Sequence, residues 1–387
     1  MSIRPPFLRI ACAALICCVL LLLDRLPRQP LPADARATWP LVEKLPAVGA
    51  LTLMAAGRIP VPINTPVAHA SALLPMPTTH PAVLLAFWFA GASESAADVQ
   101  IAASQFDRTA QQWSAARFVV NRHAMAQQLG LGLRRLGNPV AWLDSQGRIH
   151  LFVVATGLGG WASSRILHLR QSNQGQDFAA LTFAVDRVLP LSWLWNTSFL
   201  VRTAPLPLTD GGMLLPVYFE MGIKYPVALR FDGSGEFLGM VRISSRNHLL
   251  QPTMVMATES RWLALMRDQR PNGKVAVAQT EDGGLSWSDL PDLALHNPNS
   301  SVAGLGLAPG QMFLAHNSLP LGRTALDLSA SSDGQTWTLS QALAHGSGND
   351  EYSYPAMAWA DNSLWVSYTD LRQAIAWQRF SSLPTRR

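Results

Sequence analysis

The chain has 387 residues, of which 49% are hydrophobic and only 14% charged, with 13 tryptophans and three cysteines. A chain of this kind can bury a large core, and its low charge excludes a disordered, highly solvated polymer. The formal net charge of +5 is mostly local, because Arg4, Arg9, Arg25, Arg28 and Arg36 against Asp24 and Asp34 leave +3 before residue 37; the remainder carries no signature of nucleic-acid binding.

Residues Ile10 to Leu23 form an uninterrupted apolar run behind Arg4 and Arg9, the pattern of a secretory leader. The run is short for a spanning helix, which needs about 20 residues. Small-residue cleavage patterns at Ala33-Asp34-Ala35 and Ala35-Arg36-Ala37 lie far past it, so residues 1–23 read as a signal peptide or an uncleaved membrane anchor, with a slight preference for the anchor. Either way the folded body is expected outside the cytoplasm, periplasmic or held at the inner membrane. Cys12, Cys17 and Cys18 all fall in this leader, so no disulfide is expected in the body. Ile16 before Cys17 and the Arg-Ile-Ala ahead of Cys12 argue against a lipid-attached cysteine. Residues 24–45, rich in Pro, Arg and Ala, read as a linker, and residues 46–387 as one domain.

Along the body, hydroxyl or Asp turns recur and each closes on an aromatic residue. The turns begin at Ser104-Gln105-Phe106-Asp107 (closing on Trp113), Ser172-Asn173-Gln174-Gly175 (Phe178) and Asp232-Gly233-Ser234-Gly235 (Phe237). The two fullest copies are Thr280-Glu281-Asp282-Gly283-Gly284-Leu285-Ser286-Trp287 and Ser331-Ser332-Asp333-Gly334-Gln335-Thr336-Trp337. In such a turn the Asp accepts hydrogen bonds from nearby amides, the Gly takes a positive φ, and the Trp buries its ring between neighbouring sheets. The closing aromatics stand at 113, 178, 237, 287 and 337, steps of 65, 59, 50 and 50 residues, the length of one four-stranded propeller blade with its loops. A sixth blade is expected from the strands around Trp359 to Trp377, with an early strand near Leu51. The predicted fold is all-β, a six-bladed β-propeller behind an N-terminal hydrophobic leader.

From Thr65 to Arg379 the chain resembles the sialidase (neuraminidase) superfamily, in its divergent bacterial and plant branch of BNR-repeat proteins with Asp boxes. The resemblance is carried by Ala86-Phe87-Trp88-Phe89-Ala90-Gly91 with Glu94 and Asp98-Val99, by Leu136-Gly137-Asn138-Pro139-Val140, and by Leu215-Pro216-Val217-Tyr218-Phe219-Glu220. Further along it is carried by Gln251-Pro252, both full Asp boxes, Asn297-Pro298-Asn299-Ser300 and Glu351-Tyr352-Ser353-Tyr354-Pro355-Ala356. The resemblance implies an exo-glycosidase removing a terminal acidic sugar from a glycan. In the family it resembles, three arginines clamp the sugar carboxylate, a Tyr activated by a Glu attacks the anomeric carbon, and an Asp protonates the leaving group. A guanidinium pairs a carboxylate bidentately and stays charged, and a neutral Tyr avoids the repulsion that a carboxylate nucleophile would meet.

Position by position, the resemblance makes Arg267 and Arg323 the second and third clamp arginines, Tyr352 the nucleophile, and Asp98 the acid with Glu94 as alternative. Where the first arginine belongs the chain has His69, and where the partner Glu belongs it has Gln251, so Arg372 is a candidate substitute clamp and Glu220 a candidate base. Asn299, like Asn297 and Asn317, either hydrogen-bonds sugar hydroxyls or forms turns. Arg58-Ile59-Pro60 is a rival for the leading arginine motif. No His or Cys pair has metal-ligand spacing, and no cofactor is expected. The expected partners are a glycan or acidic sugar and, through an uncleaved leader, the membrane; the body is expected to be a monomer. The losses at His69 and Gln251 keep open a non-catalytic carbohydrate-binding or scaffolding propeller of the envelope.

Overall fold

The computed structural model describes residues 5–25, 35–40, 51–94, 96–173 and 175–381. Pro5–Arg25 is a helix carrying the three cysteines on its exposed surface. Among the described residues no helix is long and apolar enough to cross a membrane. Of the expected linker, residues 26–34 and 41–45 lie outside the described residues, as do the aspartate of the first cleavage pattern and the residue before it. The part that is described is attached to the body: Thr38 donates its amide to Pro207 (3.0 Å) and Thr209 donates to Arg36 (2.8 Å).

The described body forms six antiparallel sheets in chain order. Blade I is Val67–Pro75, Ala82–Gly91, Gln100–Asp107 and Arg117–Val120. Blade II is Arg135–Leu143, Ile149–Thr156, Arg165–Gln171 and Phe183–Val188. Blade III has an inner strand broken into Phe199–Val201 and Leu206–Pro207, followed by Met213–Phe219, Tyr225–Phe231 and Phe237–Arg242. Blade IV is Leu249–Met256, Trp262–Asp268, Ala276–Thr280 and Ser288–Leu290, and blade V is Ala303–Ala308, Gln311–Asn317, Ala325–Ser331 and Thr338–His345. Blade VI is Tyr352–Ala360, Ser363–Asp370 and Ala374–Ser381, closed by the early strand Thr52–Ile59 as its outermost member.

Burial follows position in the ring. The inner and second strands, flanked by a sheet on each side, are buried along almost their whole length (Leu249–Met256 and Ile149–Thr156), whereas the outermost strands Thr52–Ile59 and Thr338–His345 are largely exposed. The apolar core is accordingly split into six clusters, one per seam between neighbouring blades. The closing aromatics Trp113, Phe178, Phe237, Trp287 and Trp337 each pack into a different one of these seams.

The two full Asp boxes are built as expected. Asp282 accepts from the Ser286 amide (2.9 Å) and the Thr280 hydroxyl (2.7 Å); Asp333 accepts from the amides of Gln335 (2.8 Å) and Thr336 (2.7 Å). Gly283 and Gly334 take φ of 74° and 76° at these turns, where a side chain would be strained. Those backbone bonds hold the Asp333 carboxyl down at about 2. Asp232 repeats the pattern with the amides of Ser234 and Glu236 (both 2.9 Å), while Asp107 holds a tighter turn through Thr109 and Ala110.

One device positions the site. Four inner strands carry a bulge at the same place, between His69 and Ala72, Leu136 and Pro139, Leu250 and Thr253, and Ser353 and Ala356. Two of the bulges contain a proline, Pro252 or Pro355, which has no amide hydrogen to leave unpaired in the interrupted ladder, and in a third Pro139 stands just after the bulge. Ala70, Gln251 and Tyr354 adopt positive φ (57°, 47° and 52°) at these kinks. The kinks lie at one end of the ring, close to its axis.

Candidate functional site

At that end, blades IV, V and VI bring three arginines together. Arg267, from the end of the second strand of blade IV, donates Nε to Asn299 Oδ1 (2.6 Å) and a terminal nitrogen to Gln251 Oε1 (3.1 Å). Arg323, from the loop between the second and third strands of blade V, donates to the Asn299 carbonyl (3.0 Å) and to Glu351 Oε1 (2.9 Å). Arg372, from the corresponding loop of blade VI, donates Nε to Glu351 Oε2 (2.7 Å) and pairs with Glu94 from blade I. Glu351 thus bridges two arginines, and it also accepts from the Ser353 hydroxyl at 2.6 Å. Burial alone would raise its carboxyl, but these bonds and the charges of Arg323 and Arg372 outweigh burial and hold it at about 2. Arg267 differs from the other two: among the described residues no carboxylate forms an ion pair with it, and both of its named partners are neutral amides.

The tyrosine among these cations is Tyr354. Arg202 and Arg323 lie 5.3 and 5.7 Å from its ring centroid, and His69 meets its ring edge-on at 4.5 Å. The nucleophile expected from the sequence, Tyr352, is placed elsewhere: its ring packs edge-on against Tyr368 (6.4 Å) in the seam between blades V and VI, with Asp350, Asp370 and Arg58 as the charges around it. Partial burial, then Asp350 and Asp370, raise its phenol, which opposes a nucleophilic role. The bulge explains the exchange, because two residues on one strand share a face only where the pleat is regular.

His69 is buried, edge-on to both Phe89 and Tyr354, with neither ring nitrogen hydrogen-bonded within the protein. Burial, only partly opposed by Glu351 and reinforced by Arg372, Arg202 and Arg323, lowers it to about 3, so it is neutral and supplies no charge in place of the expected arginine. Arg202, which the sequence did not single out, lies in the break of the blade III inner strand. It is 2% exposed and donates to the carbonyls of Ser71 (3.0 Å), Pro355 (2.9 Å) and Tyr354, tying blade III to blades I and VI across the axis. Burial lowers its guanidinium to about 10, which leaves it charged at neutral pH.

Gln251 also donates to the hydroxyl of buried Tyr218 (3.3 Å). Glu220, at the end of that tyrosine's strand, is pushed up by burial and only partly brought back by Arg267 and Lys224, the direction a general base requires. Asp98 is exposed and accepts from the Ala92 amide (3.0 Å), holding its own loop; Glu94 on that loop is engaged by Arg372. Asn297 and Asn317 are buried turn and strand braces, so of the three asparagines Asn299 alone reaches an arginine side chain. Arg58 lies on the outermost strand of blade VI, paired with Asp370 at 2.7 Å and away from the cluster.

The comparisons agree with this architecture. Residues 82–366 match the model of the BNR repeat-like domain. The chain belongs to that sialidase-like family of BNR-repeat propellers. Among solved structures it is similar to a Hadza microbial sialidase (TM-score 0.65, 17% identity, covering 81% of this chain and 65% of that one). It is likewise similar to a Dyadobacter fermentans protein of unknown function (0.64, 11%, covering 86% and 99%). A Trypanosoma rangeli sialidase in complex with sialic acid matches at 0.61 and 11%, covering 84% of this chain and 57% of that one. The chain therefore spans about two thirds or less of the length of these two sialidases, and at such identity the likeness establishes the fold alone. No curated protein matches the chain.

Proposed function

We propose that this BNR-family propeller recognises a terminal acidic sugar of a glycan outside the cytoplasm and hydrolyses its glycosidic bond. The observation that carries the reading is the convergence of Arg267, Arg323 and Arg372 with Tyr354 at one end of the propeller axis. Arg267, whose named partners are neutral, takes the sugar carboxylate, while Asn299 and Gln251 hold its guanidinium in a fixed direction. In the chemical step the Tyr354 oxygen bonds to the anomeric carbon as the bond to the leaving oxygen breaks. Asp98 gives its proton to that oxygen and Glu220 takes the phenolic proton; water, losing a proton to Asp98, then displaces the tyrosine, which regains its proton from Glu220. The apolar run within Pro5–Arg25 supports export of the domain.

A second reading, a carbohydrate-binding propeller without turnover, is favoured by one specific feature. Gln251 stands where a base would be needed and is tied to Arg267 and Tyr218. Release of fluorophore from a 4-methylumbelliferyl sialoside and from related acidic glycosides separates the two. Turnover abolished by Tyr354→Phe and retained in Tyr352→Phe is the expected result. Saturable binding of the free acidic sugar without turnover would leave the second reading, and absence of both would reject the site.

A further inference from the structure

One sector of the face that bears the arginine cluster groups several exposed apolar side chains on neighbouring loops. Leu158 and Trp161 stand on the loop between the second and third strands of blade II, Trp193 and Trp195 on the connection from blade II to blade III, and Met221 and Ile223 on the corresponding loop of blade III; each is between 37% and 80% exposed. The three loops adjoin. Ser198 donates its hydroxyl to the Ala162 carbonyl (2.6 Å) and its amide to Ser164 (2.7 Å), and Glu220 donates its amide to Ser198 (3.0 Å). The sector reaches toward the axis, because the Trp161 ring lies against the inner-strand kink of blade II, 3.1 Å from where a side chain on Gly137 would begin.

A contiguous apolar surface on a folded domain marks something it binds. Its chemistry distinguishes the partner. Three tryptophans among Leu, Met and Ile is the composition of side chains that sit at a lipid–water interface, apolar body inward and indole N–H toward the headgroups. Across residues 157–164, 189–198 and 220–224 the only acid is Glu220, which belongs to the cluster, whereas Lys224, Arg165 and Arg134 stand at or beside the ends of these loops. Cations beside an apolar tip match an anionic bilayer and oppose an acidic protein surface less specifically. We infer that this sector seats the propeller on an anionic lipid surface, which presents the axial cluster to glycans carried at that surface.

The test is peptide-resolved hydrogen exchange of the full-length chain with and without phosphatidylcholine vesicles containing phosphatidylglycerol. Peptides covering 157–164, 189–198 and 220–224 should be protected about tenfold on adding vesicles, while the turns at 281–287 and 331–337, at the other end of the ring, should not change. The segment Ala35–Pro40 also runs along that other end, so protection of the loops reports the face and not the N-terminal helix. The triple variant Leu158→Ser, Trp193→Ser, Trp195→Ser should keep its melting temperature and lose the loop protection. Protection confined to residues 5–25 in the parent chain, or loop protection unchanged in the variant, would overturn the inference. Loop protection that rises with protein concentration in the absence of vesicles would overturn it too, assigning the sector to a second copy of the chain. None of these readouts uses a sugar, so failure here leaves the proposed recognition of acidic sugars standing.

Discussion

Arg202 and Arg267 lie in adjacent blades near the same axis and carry the same charge, yet their surroundings assign them opposite work. Arg202 is enclosed and spends its donors on carbonyls from two other blades, groups that would otherwise be buried without partners. Arg267 is half-buried and rests on the side-chain amides of Asn299 and Gln251, which orient it without cancelling its charge. The difference teaches that what an arginine does is written in its acceptors: carbonyls make it a brace, neutral side chains make it a receptor. Arg323 and Arg372 stand between these limits, since one carboxylate, Glu351, already satisfies both.

The sharpest way to break this contrast is Arg202→Met, which strands three carbonyls at the axis and should cost about 3–5 kcal/mol by chemical denaturation. A loss under about 1 kcal/mol would show that water replaces the guanidinium there. Glu351→Gln comes next. It leaves two cations without their shared anion and should destabilise the fold by about 2–3 kcal/mol while tightening the binding of an acidic sugar, measured by calorimetry. Because the Glu351 carboxyl is depressed, its contribution is present above the ordinary Glu value near 4.5 and is lost as pH falls through about 2, and the variant should lack that acid limb.

Arg267→Ala should do the reverse of Arg202→Met. Acidic-sugar affinity should fall roughly 10- to 100-fold, the value of a charge-assisted hydrogen bond of about 1.5–3 kcal/mol, with a melting temperature close to the parent's. Equal losses of stability in the two arginine variants would erase the distinction. The last effect, confined to acid pH and absent at neutrality, concerns His69. Its folded value near 3 lies below that of an unfolded histidine, so its neutral form favours folding above about pH 6.5, and that contribution erodes by about 1.4 kcal/mol per unit as pH falls from there toward 3. His69→Leu should flatten the stability profile between pH 6 and 4 by up to that slope.

These contrasts also mark what could be read before the structure. Asp boxes are local: hydroxyl, Asp, Gly and Trp lie within eight residues and act on their own turn, so the spacing of two full boxes and three weaker turns marked five blades, and the strands around Trp359 to Trp377 with the one near Leu51 supplied the sixth. Arg267 and Arg323 were legible through the family resemblance, each upstream of a full Asp box, and Arg372 only as a substitute for the arginine missing at His69. Tyr354 was passed over for Tyr352 because the kink before Ala356 redirects one side chain, although a signal was present. Tyr354-Pro355 and Gln251-Pro252 are the same X-Pro element at the same place in two inner strands, and reading them together would have matched Tyr354 to Gln251. Arg202 had no such mark, since Val201-Arg202-Thr203 lacks the proline and its acceptors come from residues more than a hundred positions away. Nor did the sequence reading find Glu351 as a bridge, because a carboxylate shared by loops of different strands has no local pattern. The helix Arg122–Leu129, capped by Asn121 and ended by Gly130, was likewise unread between blades I and II.

The closing blade carries a consequence for how the molecule comes into being. Thr52–Ile59 is made early and pairs with Ala374–Ser381, made last, so the first strand has no partner until the rest of the ring has been synthesised. Five blades can assemble locally on hairpin contacts, whereas the sixth waits for the longest loop closure in the chain. Around this seam stand Phe106, Trp113, Trp365 and Trp377, ring against ring, an aromatic latch that seals only once both ends have arrived. A nascent or clipped chain ending before Ala374 therefore forfeits more than one strand: it leaves an open crescent with two raw sheet edges, and such a species is the one that quality-control proteases and neighbouring copies would meet first.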